Sequence, residues 1–241
     1  MTVRWFDTLD STNSEALRHL DEYPSGTVIA AREQTAGRGQ RGNRWFAEAG
    51  QNLTFSIVLK FHGGEIPVVK APWLNFLSAG AVAAYLEDQG VACSVKWPND
   101  IYAGRRKICG MLLENSLSGA SLAASVIGIG INVNQREFPQ LANATSLALQ
   151  TGKEYAVEAC LDGFLATFEA LLPGLFQPWL LEDYNARLFQ KGKEAVYRDL
   201  LTDRLFRGVI REVTADGCLH VLDTENRQER SYRFKEISYI L

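Results

Sequence analysis

Apolar side chains recur along this chain with two spacings, every second residue in some segments and every third or fourth residue in others. Period-two alternation and short apolar runs predict strands, whereas helical spacing predicts amphipathic helices. The strands predicted before residue 140 are 2–8, 27–32, 53–61, 92–97, 106–115 and 121–133. The predicted helices are one from residue 12, one from residue 72 to about 89, and those at 155–172 and 178–190. Since short turns join the last three strands, the pattern predicts an α+β fold with a mixed, mostly antiparallel sheet and packed helices.

Two of these helices have recognisable ends in the sequence. Thr12 and Glu15 match the S/T-x-x-E capping box, which predicts a helix that starts at Thr12. Gly90 follows the second helix at the position where a glycine often ends one. Residues 34–52 are polar, rich in glycine and without helical periodicity, which predicts a long loop.

From Lys193 onward the chain changes to short predicted strands separated by turn signals, at 195–200, 205–213, 218–222 and 231–240. A run of short strands of this kind predicts a small β-barrel or sandwich attached to the larger unit. The expected organisation is therefore a domain of residues 1–190 followed by a small β domain of residues 191–241.

Charge and composition argue against several classes of protein. The 28 Asp and Glu residues outnumber the 25 Lys and Arg residues, whereas proteins that bind a nucleic-acid backbone are usually strongly basic. The N-terminus lacks the apolar core of a signal peptide, and no segment has the roughly 18 apolar residues of a membrane span. The four cysteines are scattered and form no C-x-x-C pair, so no zinc site is predicted. These features predict a cytoplasmic globular protein without a membrane partner.

Residues 37–45 read Gly-Arg-Gly-Gln-Arg-Gly-Asn-Arg-Trp and concentrate glycine and arginine in one short segment. The spacing matches G-x-G-x-x-G, but a dinucleotide site needs a helix from the third glycine, and here loop sequence and then a strand follow. Two interpretations remain open. The segment is either a solvated surface hairpin or a cationic loop whose backbone approaches a ligand and whose arginines bind phosphate or carboxylate.

A second candidate segment begins where an apolar strand ends in the sharp turn Lys96-Trp97-Pro98-Asn99-Asp100. In the strand that follows, alternation puts Lys107 and Met111 on one face and Gly110 on the other. A lysine on a largely apolar strand is rarely selected for packing alone. Lys107, beside the small Gly110, is therefore a candidate for ligand binding.

A third segment, residues 126–134, contains Gly128 and Gly130 within a strand and continues to Asn132. Interior strand glycines often mark the close approach of a ligand or of another backbone, and tight packing against a helix explains them equally well. The Asn132 amide offers the donors and the acceptor that an adenine edge needs. No Ser-His-Asp, Cys-His or paired-carboxylate arrangement is indicated. The cations and glycines together favour phosphoryl or nucleotidyl chemistry, in which charge neutralisation supplies much of the catalysis.

Taken together, these segments resemble the motifs of biotin protein ligases. They follow that family's order: Asp10-Ser11-Thr12-Asn13, Gln34-Thr35-Ala36-Gly37-Arg38-Gly39, Lys96-Trp97-Pro98-Asn99-Asp100, Lys107-Ile108-Cys109-Gly110-Met111-Leu112-Leu113-Glu114, Gly128-Ile129-Gly130-Ile131-Asn132 and Thr145-Ser146-Leu147. The resemblance spans nearly the whole chain. It implies a catalytic domain like those of class II aminoacyl-tRNA synthetases and biotin ligases, with a small C-terminal SH3-like β-barrel.

The resemblance implies that the chain activates biotin with ATP to biotinyl-5′-AMP and transfers biotin to a specific lysine of a biotin carboxyl carrier protein. Lys107 and Arg38 are then the expected catalytic residues. The expected biotin-binding residues are Ser11, Thr12, Gln34, Gly37, Arg38, Gly39, Lys107 and Gly110. The expected ATP- and adenylate-binding residues are Arg41, Trp45, Gly130 and Asn132. Mg²⁺ is expected to accompany ATP, bound mainly through phosphates.

The resemblance also bears on partners. The chain starts at the catalytic segment without a helix-turn-helix, so no DNA binding is expected. A homodimer is compatible with the family. Many family members carry arginine where this chain has Gln40 and Asn43. This departure leads to the hypothesis that the reactive adenylate is held less tightly here.

Two other functions compete with this one. A lipoate-protein ligase of the related fold would carry out the same chemistry on a different acid, and the segment 37–45 favours biotin. A nucleic-acid-binding module would use the basic loop and the C-terminal β domain, but the formal net charge of -3 argues against it.

Overall fold

The computed structural model of this chain describes residues 1–61, 66–139, 141 and 143–240. Its larger sheet has seven strands: β1 (Thr2–Leu9), β2 (Thr27–Gln34), β3 (Leu53–Lys60), β4 (Cys93–Lys96), β5 (Asp100–Ala103), β6 (Arg106–Ser118) and β7 (Ser121–Ile131). They lie in the order β1-β2-β3-β7-β6-β5-β4. The β1–β2 pair is parallel and the other neighbouring pairs are antiparallel, which confirms the predicted mixed, mostly antiparallel sheet.

The described residues form five α-helices: α1 (Thr12–Arg18), α2 (Pro72–Asp88), α3 (Leu147–Thr151), α4 (Val157–Leu171) and α5 (Pro178–Ala186). Helix α2 packs against α4 and α5, and α4 reaches the sheet at β3. Helix α1 packs against β2, β3 and β7. None of the helices in the described ranges has both the length and the apolar character needed to cross a bilayer.

Strand β7 shows how the sequence assigns the two faces of the sheet. Ile127, Ile129 and Ile131 are buried in the main core. The alternate residues Gly128 and Gly130 face the other side, where α1 begins, and a Cβ on Gly128 would lie 2.0 Å from the Asn13 Oδ1 atom. The Gly-Ile-Gly-Ile alternation therefore separates a packed face from a face on which other groups lie directly against the backbone.

The start of α1 differs from the predicted capping box. The N-cap is Ser11, one residue earlier, and its hydroxyl accepts a hydrogen bond from the Ser14 amide at 3.5 Å. The Glu15 carboxylate accepts instead from the Tyr23 hydroxyl at 2.9 Å. Thr12 is therefore the first residue within the helix, and its side chain does not cap the helix but contacts Ser56 on β3.

Several other boundaries also differ from the prediction. The antiparallel meander contains β5, because the turn at Pro98 returns directly into a short strand. The helix predicted at 178–190 ends at Ala186, and the single strand predicted at 231–240 is interrupted by a turn at 233–236. Helix α3 was not predicted, although Ser146 caps it by accepting from the Leu149 amide at 3.2 Å.

A second sheet occupies the C-terminal part of the chain. Its antiparallel strands are β8 (Glu194–Asp199), β9 (Arg204–Val213), β10 (Leu219–Asp223), β11 (Gln228–Tyr232) and β12 (Ile237–Tyr239), ordered β11-β10-β9-β8-β12. The Trp97 Nε1 atom donates to the Gly217 carbonyl at 3.1 Å, joining this part to the turn after β4. A second sheet in the C-terminal part of the chain is confirmed, with five strands where four were predicted, while its closure into a barrel stays a prediction.

Candidate active site

A cavity of about 350 Å³ lies on the glycine-bearing face of the larger sheet. Its walls come from the start of α1, the loop after β2, the strands β3 to β7, and β12 of the C-terminal sheet. The residues predicted as site residues that line it are Ser11, Thr12, Gln34, Arg38, Gly39, Trp45, Lys107, Gly110 and Gly130. Five of the six motifs quoted from the sequence are therefore brought together around one cavity, and Thr145-Ser146-Leu147 does not line it.

A single row of residues crosses the floor of this cavity from β4 to β3. The registered pairs run from Lys96 to Asp100, from Asp100 to Gly110, from Gly110 to Gly130, and from Gly130 to Thr54. Cross-strand partners point to the same face of a sheet, and neighbouring strands are about 4.8 Å apart. The row therefore places a cation and a carboxylate beside two glycines.

The indole of Trp45 lies directly on the two glycines of this row. A Cβ atom on Gly130 would lie 2.4 Å from Trp45 Cε2, and one on Gly110 would lie 3.1 Å from Trp45 Cζ3. The indole Nε1 atom is buried and has no hydrogen-bond acceptor among the described residues. Buried donors are normally paired, so this N–H is available to an acceptor on a bound ligand.

The loop that carries Trp45 is a small hairpin. The Trp45 amide donates to the Gly37 carbonyl at 3.0 Å, and the Gly39 amide donates to the Asn43 carbonyl at 2.8 Å. A Cβ on Gly37 would lie 2.5 Å from the Trp45 carbonyl oxygen, so this close approach requires glycine. The surface-hairpin interpretation is thus right about the shape, but the hairpin lies over the cavity and is not merely solvated.

Arg38 extends from this hairpin to strand β6. Its guanidinium makes two hydrogen bonds to the Glu114 carboxylate, at 2.7 and 3.0 Å. The same carboxylate accepts a hydrogen bond from the side-chain Nδ2 atom of Asn13 at 2.9 Å. The side-chain Oδ1 atom of Asn13 accepts one from the Ser56 hydroxyl at 2.6 Å. A continuous chain of hydrogen bonds therefore links the floor of the cavity to the hairpin that covers it.

Lys107 reaches the cavity because β6 is irregular beside it. The pairing with β5 shifts between Ile101 and Tyr102, which leaves Ile108 as an extra residue on β6. The prediction from alternation, that Lys107 and Gly110 lie on opposite faces of the strand, is therefore wrong. The Lys107 Nζ atom lies 2.6 Å from Asp100 Oδ1 and 5.8 Å from the Trp45 ring centroid.

Three of the expected biotin-binding residues, Ser11, Thr12 and Gln34, line the cavity near the start of α1. The Thr12 amide donates to the Gln34 side-chain carbonyl at 2.7 Å, and the Thr12 and Ser56 hydroxyl oxygens lie 2.8 Å apart. Ser11 lies beside them as the N-cap of α1. These neutral donors and acceptors, below a cationic hairpin, suit a ligand with a polar uncharged ring and a negatively charged end.

Three predicted site residues lie elsewhere or cannot be placed. Gly37 shapes the hairpin without lining the cavity. The Asn132 side chain is buried, donates to the Thr145 carbonyl at 2.9 Å and is not among the residues that line the cavity, so its expected contact with adenine stays a prediction. The backbone of Arg41 belongs to the 3-10 turn Gln40–Gly42, while its side chain lies outside what the structure describes.

Several residues that line the cavity were not predicted as site residues, among them Lys96, Asp100 and Tyr239. Lys96 and Asp100 belong to the segment 96–100, and its charged ends were the available signal. Burial lowers the pKa of Lys96. Tyr239 comes from the C-terminal sheet, and nothing in its local sequence indicated a site. Within the described ranges, no group of three or more His, Cys, Asp and Glu side chains could hold a metal ion.

Comparisons with known proteins agree with this geometry. Residues 5–132 match the model of the Biotin/lipoate A/B protein ligase family. The bifunctional ligase/repressor BirA of Bacillus subtilis (strain 168) is 34% identical over 171 residues, covering 68% of this chain and 52% of that protein. The biotin--[acetyl-CoA-carboxylase] ligase of Paracoccus denitrificans is 39% identical over 130 residues, covering 52% of this chain and 51% of that protein. The chain thus spans about half the length of these curated relatives.

Among solved structures, a biotin protein ligase from Aquifex aeolicus in complex with biotin and ATP superposes with a TM-score of 0.78. The sequences are 27% identical, and the match covers 98% of this chain and 97% of that chain. The similarity therefore includes the C-terminal sheet as well as the larger one.

Proposed function

Because this chain belongs to the Biotin/lipoate A/B protein ligase family, we propose that it activates biotin with ATP to biotinyl-5′-AMP and then transfers biotin to a lysine of a biotin carboxyl carrier protein. The observation that carries the proposal is the cavity floor. Gly110 and Gly130 lie under the Trp45 indole, and Lys107 and Arg38 reach the same cavity from β6 and from the hairpin.

In the first step, an oxygen of the biotin carboxylate attacks the α-phosphorus of ATP. The bond from that phosphorus to the oxygen bridging to the β-phosphate breaks, and pyrophosphate leaves with the electron pair. A carboxylic acid is already ionised at neutral pH, so the attack needs no general base. The protein's contribution is to hold the two anions together and to neutralise the charge that develops on the phosphate oxygens.

Lys107 and Arg38 are the residues that we assign to this neutralisation. Each is paired with a carboxylate, Lys107 with Asp100 and Arg38 with Glu114. These pairs hold both cations in place. Phosphate and carboxylate oxygens of the substrates would compete with Asp100 and Glu114 for the same hydrogen-bond donors.

In the second step, the carrier lysine attacks the carbonyl carbon of the mixed anhydride. A carbon–nitrogen bond forms, the bond from that carbon to the phosphate oxygen breaks, AMP leaves with the electron pair, and the nitrogen releases a proton. We assign Ser11, Thr12 and Gln34 to the biotin ring, because they provide neutral hydrogen-bonding groups beside the start of α1.

Mg²⁺ is expected with ATP. It is held mainly by phosphate oxygens in sites of this kind, and Asp100 is the lining carboxylate that would complete its coordination near the sheet. When bound, the ion supplies further neutralisation of the phosphate charge.

We also infer that residues 1–190 form the catalytic domain and that residues 191–241 form an SH3-like barrel. The match over 98% of the chain supports both inferences.

The test is to incubate the protein with biotin, Mg-ATP and an apo carrier domain and to measure the intact mass of the carrier. The expected result is the gain of one biotinyl group, and an unmodified carrier would contradict the proposal. The family description also names lipoate, so ATP–pyrophosphate exchange should be measured separately with each acid. Exchange with lipoate alone would replace the biotin assignment.

A further inference from the structure

Lys96 is a cation of the cavity that the proposed mechanism has not used. It ends strand β4, lines the cavity, and pairs in register with Asp100. Lys96 lies two strands away from Gly110 in the row that crosses the cavity floor, a distance of roughly 10 Å. It therefore lies on the far side of Lys107 and Asp100 from the glycines beneath Trp45.

Lys96 differs from the other two cations in its partners. Arg38 and Lys107 each bind a carboxylate. In the part of the chain that the structure describes, Lys96 has no ion-pair partner, because the Asp100 carboxylate is taken by Lys107. Burial lowers the pKa of Lys96; the Asp100 carboxylate opposes this shift, and the positive charge of Lys107 adds to it. The ammonium groups of Lys96 and Lys107 therefore face a region in which Asp100 is the carboxylate for both, so they could bind further negative charge.

Aromatic side chains hold Lys96 in this place. Its Nζ atom lies 5.1 Å from the centroid of the Tyr102 ring and 5.0 Å from that of the Tyr239 ring. It also donates to the Tyr102 hydroxyl at 3.3 Å. Contacts between a cation and aromatic faces fix a lysine without neutralising its charge. Tyr239 comes from β12, so the C-terminal sheet supplies one of the two rings.

A purely structural lysine is the competing explanation. A partly buried ammonium without a carboxylate partner costs folding free energy, and a methionine or leucine between two tyrosines would pack without this cost. The C-terminal sheet is also attached at the neighbouring Trp97, through its hydrogen bond to Gly217. Joining the two sheets therefore does not require a charge at residue 96.

We propose that Lys96, held between Tyr102 and Tyr239, binds the β- and γ-phosphates of ATP and stabilises the pyrophosphate that leaves during adenylation. The inference rests on the proposed function and adds a residue to it. As the bond to the α-phosphorus breaks, the bridging oxygen keeps the electron pair and the departing group gains negative charge. Lys107 then acts at the α-phosphate and Lys96 at the leaving group, while the transfer of biotin from the finished adenylate involves no pyrophosphate.

The experiment separates the two half-reactions in Lys96→Met. Formation of biotinyl-5′-AMP from biotin and Mg-ATP should fall by roughly 10²- to 10³-fold, as for the loss of one charge-stabilising group in an active site. In the reverse direction, with biotinyl-5′-AMP supplied, the KM for pyrophosphate should rise at least about tenfold. Transfer from supplied biotinyl-5′-AMP to the carrier should change less than about twofold, since this step involves no group that Lys96 binds.

Three further variants serve as controls. Lys96→Arg keeps the charge and should retain most of the adenylation rate. Tyr239→Leu keeps Lys96 but removes one ring, and it should raise the KM for pyrophosphate even if Lys96→Met does not fold. Lys70→Met is a matched substitution, because Lys70 lies against the Trp73 and Phe176 rings and does not line the cavity. This variant should behave as wild type in both half-reactions.

Adenylation by Lys96→Met at the wild-type rate would overturn the assignment, and so would an equal loss in both half-reactions. For Tyr239→Leu, an unchanged KM for pyrophosphate would count against it in the same way. If wild-type protein forms no biotinyl-5′-AMP, the proposed function itself fails and the role of Lys96 fails with it. This result is distinguishable, because in the other cases wild type is active.

Discussion

Lys107 and Gly110 lie on the same face of β6 although they are three residues apart. In a regular strand such residues point to opposite faces, and the extra residue at Ile108 reverses this relation. A Cβ atom on Gly110 would lie 3.0 Å from the Lys107 Nζ atom. The bulge therefore brings the lysine ammonium onto the glycine floor, within reach of a group bound beneath Trp45.

Replacing Lys107 with alanine should abolish most of the adenylation while leaving biotin binding measurable. The ammonium is placed to meet charge that develops on the α-phosphate, and losing one such group costs roughly 10²- to 10³-fold in rate. The measurement is ATP–pyrophosphate exchange, together with biotin binding by calorimetry. Lys60→Ala, a lysine on β3 outside the cavity lining, is the control. Exchange at the wild-type rate in Lys107→Ala would remove this residue from its role.

Replacing Gly130 with alanine should reduce adenylation, because the Trp45 indole lies directly on this residue. The new methyl group would overlap the Trp45 ring, whose nearest atom lies 2.4 Å from the Cβ position, so the ring must move off the floor. We expect adenylation to fall at least about tenfold, equivalent to about 1.4 kcal/mol, with the protein still folded. Exchange kinetics and circular dichroism check this.

Gly80→Ala is the matched control for that substitution. Gly80 lies in helix α2, and its nearest heavy atom to an added Cβ is 3.6 Å away, an ordinary contact. Alanine should stabilise the helix by roughly 0.5–1 kcal/mol without changing the rate of exchange. If Gly130→Ala retained full exchange activity, the contact between Trp45 and the floor would have no part in catalysis.

Much of the fold could be predicted because the patterns on which it depends are local. The alternation of isoleucine with Gly128 and Gly130 marks both the core face of β7 and the open face. A bulge is set by the pairing of two strands, and neither sequence alone reveals it. Lys107 was therefore selected correctly as a cavity residue but assigned to the wrong face of β6.

The site could be predicted where its residues belong to compact motifs, and less well elsewhere. Asn132 illustrates the limit, because its side-chain amide can bind a ligand, another part of the chain or both, and the sequence does not reveal the hydrogen bond that it donates to the Thr145 carbonyl. Tyr239 illustrates a second limit. It reaches the cavity through the packing of one sheet against another, a relation between segments more than 130 residues apart, as its contact with Lys96 shows.

Gln40→Arg should reduce the escape of biotinyl-5′-AMP. Gln40 lies at the tip of the hairpin and lines the cavity, where a guanidinium could bind a phosphate oxygen. A hydrogen bond to a charged group contributes about 1.5–3 kcal/mol, so we expect the leakage of biotinyl-5′-AMP to fall at least roughly tenfold. The measurement is biotin attached to lysines of a bystander protein in the absence of a carrier. Gln228→Arg, on exposed strand β11, is the control, and equal labelling by Gln40→Arg and wild type would refute the hypothesis.

Lys96→Met should make the protein more stable at neutral pH although it impairs adenylation. Burial lowers the pKa of Lys96, so charging this side chain is less favourable in the folded state than in the unfolded state. Substitutions that remove such a cost commonly add about 1 kcal/mol. For a chain of this length that corresponds to a rise in Tm of roughly 2–4 °C. Lys70→Met should give no comparable rise.

The pH dependence gives the sharper test of the same argument. The folded pKa of Lys96 lies below its ordinary value of 10.5, so between these two values the unfolded state binds more protons. Stability of the wild type therefore rises with pH across that interval relative to Lys96→Met. The advantage of the variant should be largest below the folded pKa and should vanish above about 10.5. Thermal unfolding of both proteins from neutral pH upward measures this. An advantage that stays constant with pH would mean that packing, and not the buried charge, accounts for the difference.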